Sequence, residues 1–131
     1  MKKVVLLAAV GLLAAAGTAF ADAGEDAFNG KCKVCHAVGE GAANKVGPQL
    51  NGVEGRKMAS VDGFKGYGSD LKAMGDTGKT WNKDELVKYL ADPKAYNAGT
   101  KMAFAGFKAD TATAEAVAAY VLGFGADGKK K

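Results

Sequence analysis

Apolar positions recur with helical spacing in three parts of the chain. In "DAGEDAFNGKCKVCH" (22–36), Phe28, Cys32 and Cys35 fall at i, i+4 and i+7. Glu25 and Asp26 are read near the start of that helix, where the dipole favours acidic residues. In "WNKDELVKYLADP" the inward residues are Leu86, Tyr89 and Leu90. Asn82 is its predicted N-cap, Glu85 follows three residues later, and Pro93 is its terminator. In "DTATAEAVAAYVLGFG", Val117, Tyr120, Val121 and Phe124 repeat the spacing, with Asp110 or Thr111 as cap and Gly123 as stop. A short helical turn is read from Ser69 to Met74. No segment shows a period-two run, so an all-α domain is expected. Long Gly- and Asn-rich loops join these helices, and such loops in a compact domain usually carry function.

The N-terminus has a different pattern. Lys2 and Lys3 precede an uncharged run from Val4 to Ala16, and "GTAFA" ends in Ala19-Phe20-Ala21. This is the layout of a secretory leader, because the run is too short to cross a membrane as a helix. Residues 1–21 are expected to be cleaved, leaving 22–131 as one soluble periplasmic domain, monomeric and without a membrane span. Lys and Arg total 18 against 14 Asp and Glu. Two of the lysines belong to the leader, so bulk charge decides little. No basic tract is interleaved with aromatics, and no nucleic-acid role is expected. The terminal lysines after Gly128 are read as a solvated, mobile tail.

The chemistry concentrates in "KCKVCHAVG" (31–39), which holds both cysteines and the sole histidine. A disulfide there would restrict the unfolded chain little, because the loop it closes is so short. A redox dithiol would be expected beside a βαβ unit, and no strand precedes the motif. Structural zinc needs four ligands, more than two Cys and one His supply. On a helix, Cys32, Cys35 and His36 leave from one face. That suits covalent attachment of a c-type haem, with two thioethers along one porphyrin edge and the imidazole beneath the iron. A buried macrocycle would also fill the thin core of a small domain. The second axial ligand is then Met, Lys, Tyr, the α-amino group or nothing. Met58 and Met74 are read as core filler. Met102 lies in "AGTKMAFAG", a loop running into apolar residues.

With these residues in place, the chain resembles the small class I cytochromes c of the mitochondrial and bacterial c-two kind. The resemblance runs in order through "GEDAF", "KCKVCH", "GPQLNGVEGRKMAS", "GFKGYGSDLKAMG", "TWNKDELVKYLADPKAY", "GTKMAFAG" and "AVAAYVL". It implies the cytochrome c fold: three main helices, short helical turns and long loops wrapped around one haem c. Cys32 and Cys35 would be the thioether anchors, and His36 and Met102 the axial iron ligands. Pro48 would accept the His36 Nδ1–H, Gly47 would let backbone approach, and Leu50 would pack on the ring. Arg56 and Trp81 resemble residues that bind a buried haem propionate, with Tyr67 and Thr100 as further candidates. A carboxylate taken out of water needs such a charged partner as Arg56. Tyr89 would place its hydroxyl near the Met102 sulfur. Gly24, Phe28 and Tyr120 would form the crossing of the terminal helices. The chain departs from the family in having Ala98 where a proline usually precedes G-T-K-M, and in the spacing around "GFKGYGSD".

Two filled axial positions leave no site for substrate, so one-electron transfer without enzymatic turnover is expected. Met/His ligation raises the reduction potential. The resemblance implies electrons taken from a quinol-oxidising cytochrome complex and passed to a terminal oxidase or photosynthetic reaction centre, in respiration or photosynthesis. Lys31, Lys45, Lys94 and Lys101 match family positions ringing the haem edge, and a local positive field of this kind steers transient docking. The competing expectation is a haem peroxidase or gas-binding sensor with a labile sixth ligand.

Overall fold

The computed structural model describes residues 12–131. They form five helices: α1 (Leu12–Lys31), α2 (Ser69–Asp76), α3 (Lys83–Ala91), α4 (Pro93–Tyr96) and α5 (Thr111–Leu122). Among the described residues the extended chain pairs only at two isolated bridges, Lys57 with Thr80 and Phe124 with Lys130. None of these helices is long and apolar enough to cross a membrane.

Helix ends follow local side-chain chemistry. Asn82 Oδ1 accepts the Glu85 N–H at 2.9 Å, opening α3. The Glu85 carboxylate does not return the bond to Asn82 but accepts one from the Tyr96 hydroxyl at 2.5 Å. Asp92 closes α3 through its N–H to the Lys88 carbonyl, and its carboxylate accepts the Ala95 N–H at 3.1 Å to open α4. Pro93 therefore ends one helix and starts another, because its fixed φ suits a first helical position. Asp110, not Thr111, caps α5, accepting the Thr113 N–H at 3.2 Å.

The first and last helices cross where glycine is required. A Cβ on Gly24 would lie 2.3 Å from the Ala116 carbonyl oxygen. One turn on, the Phe28 and Tyr120 rings meet with centroids 5.4 Å apart. α3 packs on α5 as well, and α4 on α3. Phe28, Cys32, Val53, Met58, Trp81, Leu86, Val117 and Val121 are buried in one core.

Two local expectations change. α1 runs unbroken through Ala21, so Glu25 and Asp26 sit in its interior rather than near its start. Cleavage after Ala21 would restore them to the first turns. The C-terminal lysines do not form a mobile tail. Lys131 N–H donates to the Gly123 carbonyl and Gly125 N–H to the Lys129 carbonyl. Lys131 Nζ pairs with Glu54 at 2.7 Å, and Lys130 lies 5.9 Å from the Phe124 ring centroid. Gly128 is buried so closely against Gly39 that a Cβ would fall 2.4 Å from its carbonyl oxygen.

Candidate functional site

The turn after α1 carries Cys32, Cys35 and His36. Cys35 N–H and His36 N–H both donate to the Cys32 carbonyl, at 3.0 and 2.8 Å. Helical winding thus continues past Lys31 and keeps the three side chains on one turn. Both thiols are free, Cys32 buried and Cys35 half-buried. Burial, with Cys35 nearby, pushes the Cys32 thiol up to about 11 despite Lys31. A thiol held protonated is a poor redox nucleophile, which disfavours the dithiol reading. Among the described residues no three His, Cys, Asp or Glu side chains are placed together to hold a metal ion.

His36 is fixed from two sides. Its Nδ1 lies 2.8 Å from the Pro48 carbonyl oxygen, which requires the proton on Nδ1 and leaves Nε2 as a lone-pair donor. Gly47 lies flat against the ring: a Cβ there would sit 2.4 Å from Cε1. Burial holds the imidazole below its usual pKa, against the Pro48 bond and helped by Arg56 and Lys45. The neutral form that ligates metals is therefore favoured. The loop under the ring is anchored by Gly47 N–H to the Cys35 carbonyl and Leu50 N–H to the Ala37 carbonyl. Leu50 packs partly buried against the core.

Arg56 is half-buried, and its guanidinium donates to the carbonyls of Gln49 at 3.0 Å and Asn51 at 3.3 Å. No carboxylate pairs with it among the described residues. Burial works against its charge, while Tyr67 nearby favours it. The Trp81 backbone joins this corner, its N–H donating to the Arg56 carbonyl and its own carbonyl accepting from Gly55. Tyr67 turns its hydroxyl to the Val61 N–H at 3.1 Å. Neither the Tyr67 nor the Trp81 side chain hydrogen-bonds Arg56.

The methionine loop forms a second cluster. The Tyr89 and Thr100 hydroxyls lie 2.8 Å apart, and Thr100 Oγ1 accepts the Met102 N–H at 3.2 Å. Tyr89 thus reaches the Met102 backbone through the Thr100 hydroxyl. Gly99 N–H donates to Asp70 Oδ2 at 2.9 Å, tying the loop to α2. Met58 and Met74 lie in or against the core, as their filler role requires. Lys31, Lys45, Lys94 and Lys101 are exposed, and none pairs with a carboxylate among the described residues. Lys45 Nζ instead caps the Lys33 carbonyl at 2.7 Å.

Sequence reasoning passed over Gln49, Asn51 and Asp70. Asn51 is buried and clips Gly39 through two bonds, 2.8 and 2.7 Å long. The Asn51–Gly39 and Asp70–Gly99 partners are 12 and 29 residues apart, beyond any local pattern.

The donor set fits a covalently held haem. Two free thiols share a turn with an imidazole whose Nε2 is left available, and a half-buried cation lacks an anion.

No protein-family model matches the chain. It is 51% identical over 100 residues to a cytochrome c-550 of Ancylobacter novellus, covering 76% of this chain and 92% of that one. It is 46% identical over 130 residues to a cytochrome c-554 of Methylosinus trichosporium, covering 96% and 94%. A cytochrome c2 of Rhodoplanes tepidamans is 50% identical over 110 residues, covering 84% and 97%.

Proposed function

Because the chain belongs to the class I c-type cytochromes, haem c-binding electron carriers rather than enzymes, we propose a specific assignment of its site and route. Cys32 and Cys35 would hold haem c through thioethers, and His36 and Met102 would ligate its iron. When bound, haem c supplies a one-electron ferric/ferrous couple. The chain takes electrons from a quinol-oxidising cytochrome complex and delivers them to a terminal oxidase or photosynthetic reaction centre. Residues 1–21 are the export leader, and residues 22–131 work as a soluble periplasmic monomer.

The observation that carries this reading is the 2.8 Å bond from His36 to the Pro48 carbonyl. It fixes the tautomer and the ring plane and raises the basicity of Nε2. Arg56 supplies the positive charge that a buried propionate needs, with Trp81 and Tyr67 bordering the same corner. Tyr89 and Thr100 hold the Met102 backbone. Lys31, Lys45, Lys94 and Lys101 are exposed, pair with no carboxylate among the described residues, and steer a negatively charged partner at low salt.

The test is spectroscopic. The oxidised holoprotein is expected to show a Met–iron charge-transfer band, lost in Met102→Ala and retained in Met58→Leu and Met74→Leu. The reduced wild type is expected to bind little carbon monoxide at neutral pH, and Met102→Ala to bind it readily. Ready binding by the wild type would overturn Met102 ligation and favour a ligand-binding or peroxidase role.

A further inference from the structure

Three aromatic rings pack into one cluster between the methionine loop and a surface carboxylate. Trp81 and Tyr89 have centroids 5.5 Å apart, Tyr89 and Tyr96 5.3 Å, and Trp81 and Tyr96 6.2 Å. Tyr89 ends on Thr100 beside Met102. Tyr96 ends on Glu85, its hydroxyl donating to Oε2 at 2.5 Å. The Glu85 side chain is 19% exposed, and its other oxygen lies 4.0 Å from Lys79 Nζ and 3.9 Å from Lys88 Nζ. The chain has four tyrosines. Among the described residues only Tyr96 has a hydrogen-bonded carboxylate.

We propose that Trp81, Tyr89 and Tyr96 form a second electron port, opened when Tyr96 is oxidised and its phenol proton passes to Glu85. Loss of an electron alone would leave an extremely acidic phenol radical cation. A carboxylate already in hydrogen-bond contact removes that barrier, because the proton moves along the existing bond as the electron leaves. A one-electron oxidant at the surface gains the electron, and the Tyr96 O–H bond breaks. Glu85 becomes a neutral carboxyl, and Tyr96 a neutral phenoxyl radical. An electron from the reduced carrier, passed through Tyr89, restores the phenol as Glu85 returns the proton. The Tyr96 hydrogen bond, with Lys79 and Lys88 adding to it, holds Glu85 below its usual pKa, so the acceptor is an ionised carboxylate.

The port gives the carrier a route for discharging oxidants that does not use the residues beside Cys32 and Cys35. Refilling rests on the proposed placement of haem beside Met102; radical formation at Tyr96 does not.

The test uses holoprotein and a flash-generated ruthenium(III) tris-bipyridine oxidant. In the oxidised protein a phenoxyl signal is expected by paramagnetic resonance and absent in Tyr96→Phe. Glu85→Gln, which preserves shape but removes the proton acceptor, is expected to slow radical formation about tenfold or more, the effect of losing one charge-assisted hydrogen bond. In the reduced protein the radical should decay at least about tenfold faster than in the oxidised one, a difference of roughly 1.4 kcal/mol in barrier. Circular dichroism of both variants checks the fold. An undiminished signal in Tyr96→Phe, or an unchanged rate in Glu85→Gln, would overturn the port. Equal lifetimes in the two redox states, with the Met–iron band present, would overturn the refilling path.

Discussion

Replacing Gly47 with alanine tests the support of His36 with a single methyl group. The added Cβ would lie 2.4, 2.7 and 2.8 Å from Cε1, Nδ1 and Nε2 of the ring. Carbon atoms rest at ~3.5 Å or more, so ring or backbone must retreat by about 1 Å. The bond to Pro48, 2.8 Å long, does not survive a displacement of that size in its present geometry. Losing it costs about 1 kcal/mol, and leaving its donor or acceptor buried without a partner costs about 1–3 kcal/mol. Overpacking adds a similar amount. A total of roughly 3–7 kcal/mol is a large share of a stability of about 5–15 kcal/mol. The assay is guanidinium unfolding of the holoprotein, read as a midpoint shift at constant slope. Gly30→Ala is the control, since nothing lies within 4 Å of a Cβ there and helix propensity alone should make it neutral or stabilising by up to about 1 kcal/mol. A Gly47→Ala protein as stable as wild type, with an unchanged haem spectrum, would refute the claim that this glycine sets the ring.

Further outcomes follow from other contacts. Ala98→Pro should raise the pH at which Met102 is displaced by about 0.3–0.7 unit, from the 0.4–1 kcal/mol that a compatible proline provides; spectral titration with alkali reads it. Asn97, which precedes it, is extended at φ −150° and ψ 94°, outside the helical region that a following proline disfavours. The loop base needs the help, since Asn97 Oδ1 is buried without a partner among the described residues. Glu85 is held below the ordinary glutamate pKa of about 4.3, chiefly by the Tyr96 bond. Its contribution is therefore fully present above that pH and lost as pH falls through the lower folded value, so wild type and Glu85→Gln should converge in acid unfolding curves. Val34 and Val46 are 75% and 77% exposed beside Lys33 and Lys45. Val34→Asp with Val46→Asp should slow turnover with a membrane partner even at high salt, where lysine steering has been screened. Gly128→Ala should destabilise more than Lys131→Met, because the first clashes with the Gly39 carbonyl at a positive φ of 81° and the second removes an exposed ion pair worth about 0–1 kcal/mol; thermal unfolding compares them.

Much of the helical framework was legible, because Leu86, Leu90, Val117 and Val121 carry their burial in their spacing. The turn holding Cys32, Cys35 and His36 was legible for the same reason. α4 was not. A proline after a helix reads as a stop, and only the Asp92 carboxylate, turned to Ala95, shows a new start. Glu85 looked like half of a capping box from its position three residues after Asn82. Tyr96 and two lysines compete for the carboxylate, and that competition is settled by packing eleven residues away. The terminal lysines read as solvated because charge and glycine lower local order. The fold-back instead depends on backbone bonds between 123–125 and 129–131, which no side-chain pattern encodes. The Thr100 hydroxyl joins Tyr89 to the Met102 backbone, a link set by the fold of the loop that no local spacing encodes.

The crossing of α1 and α5 has a consequence for the order in which the molecule is made. Gly24 closes against Ala116, near the opposite end of the chain. Synthesis delivers the N-terminal side first. During that interval the α1 face carrying Gly24 and Phe28 has no partner, because Ala116 and Tyr120 are still to come. Arrival of residues 111–122 then covers that face. The last helix acts as a timer as well as a wall, so a chain truncated before it should leave this face of α1 exposed.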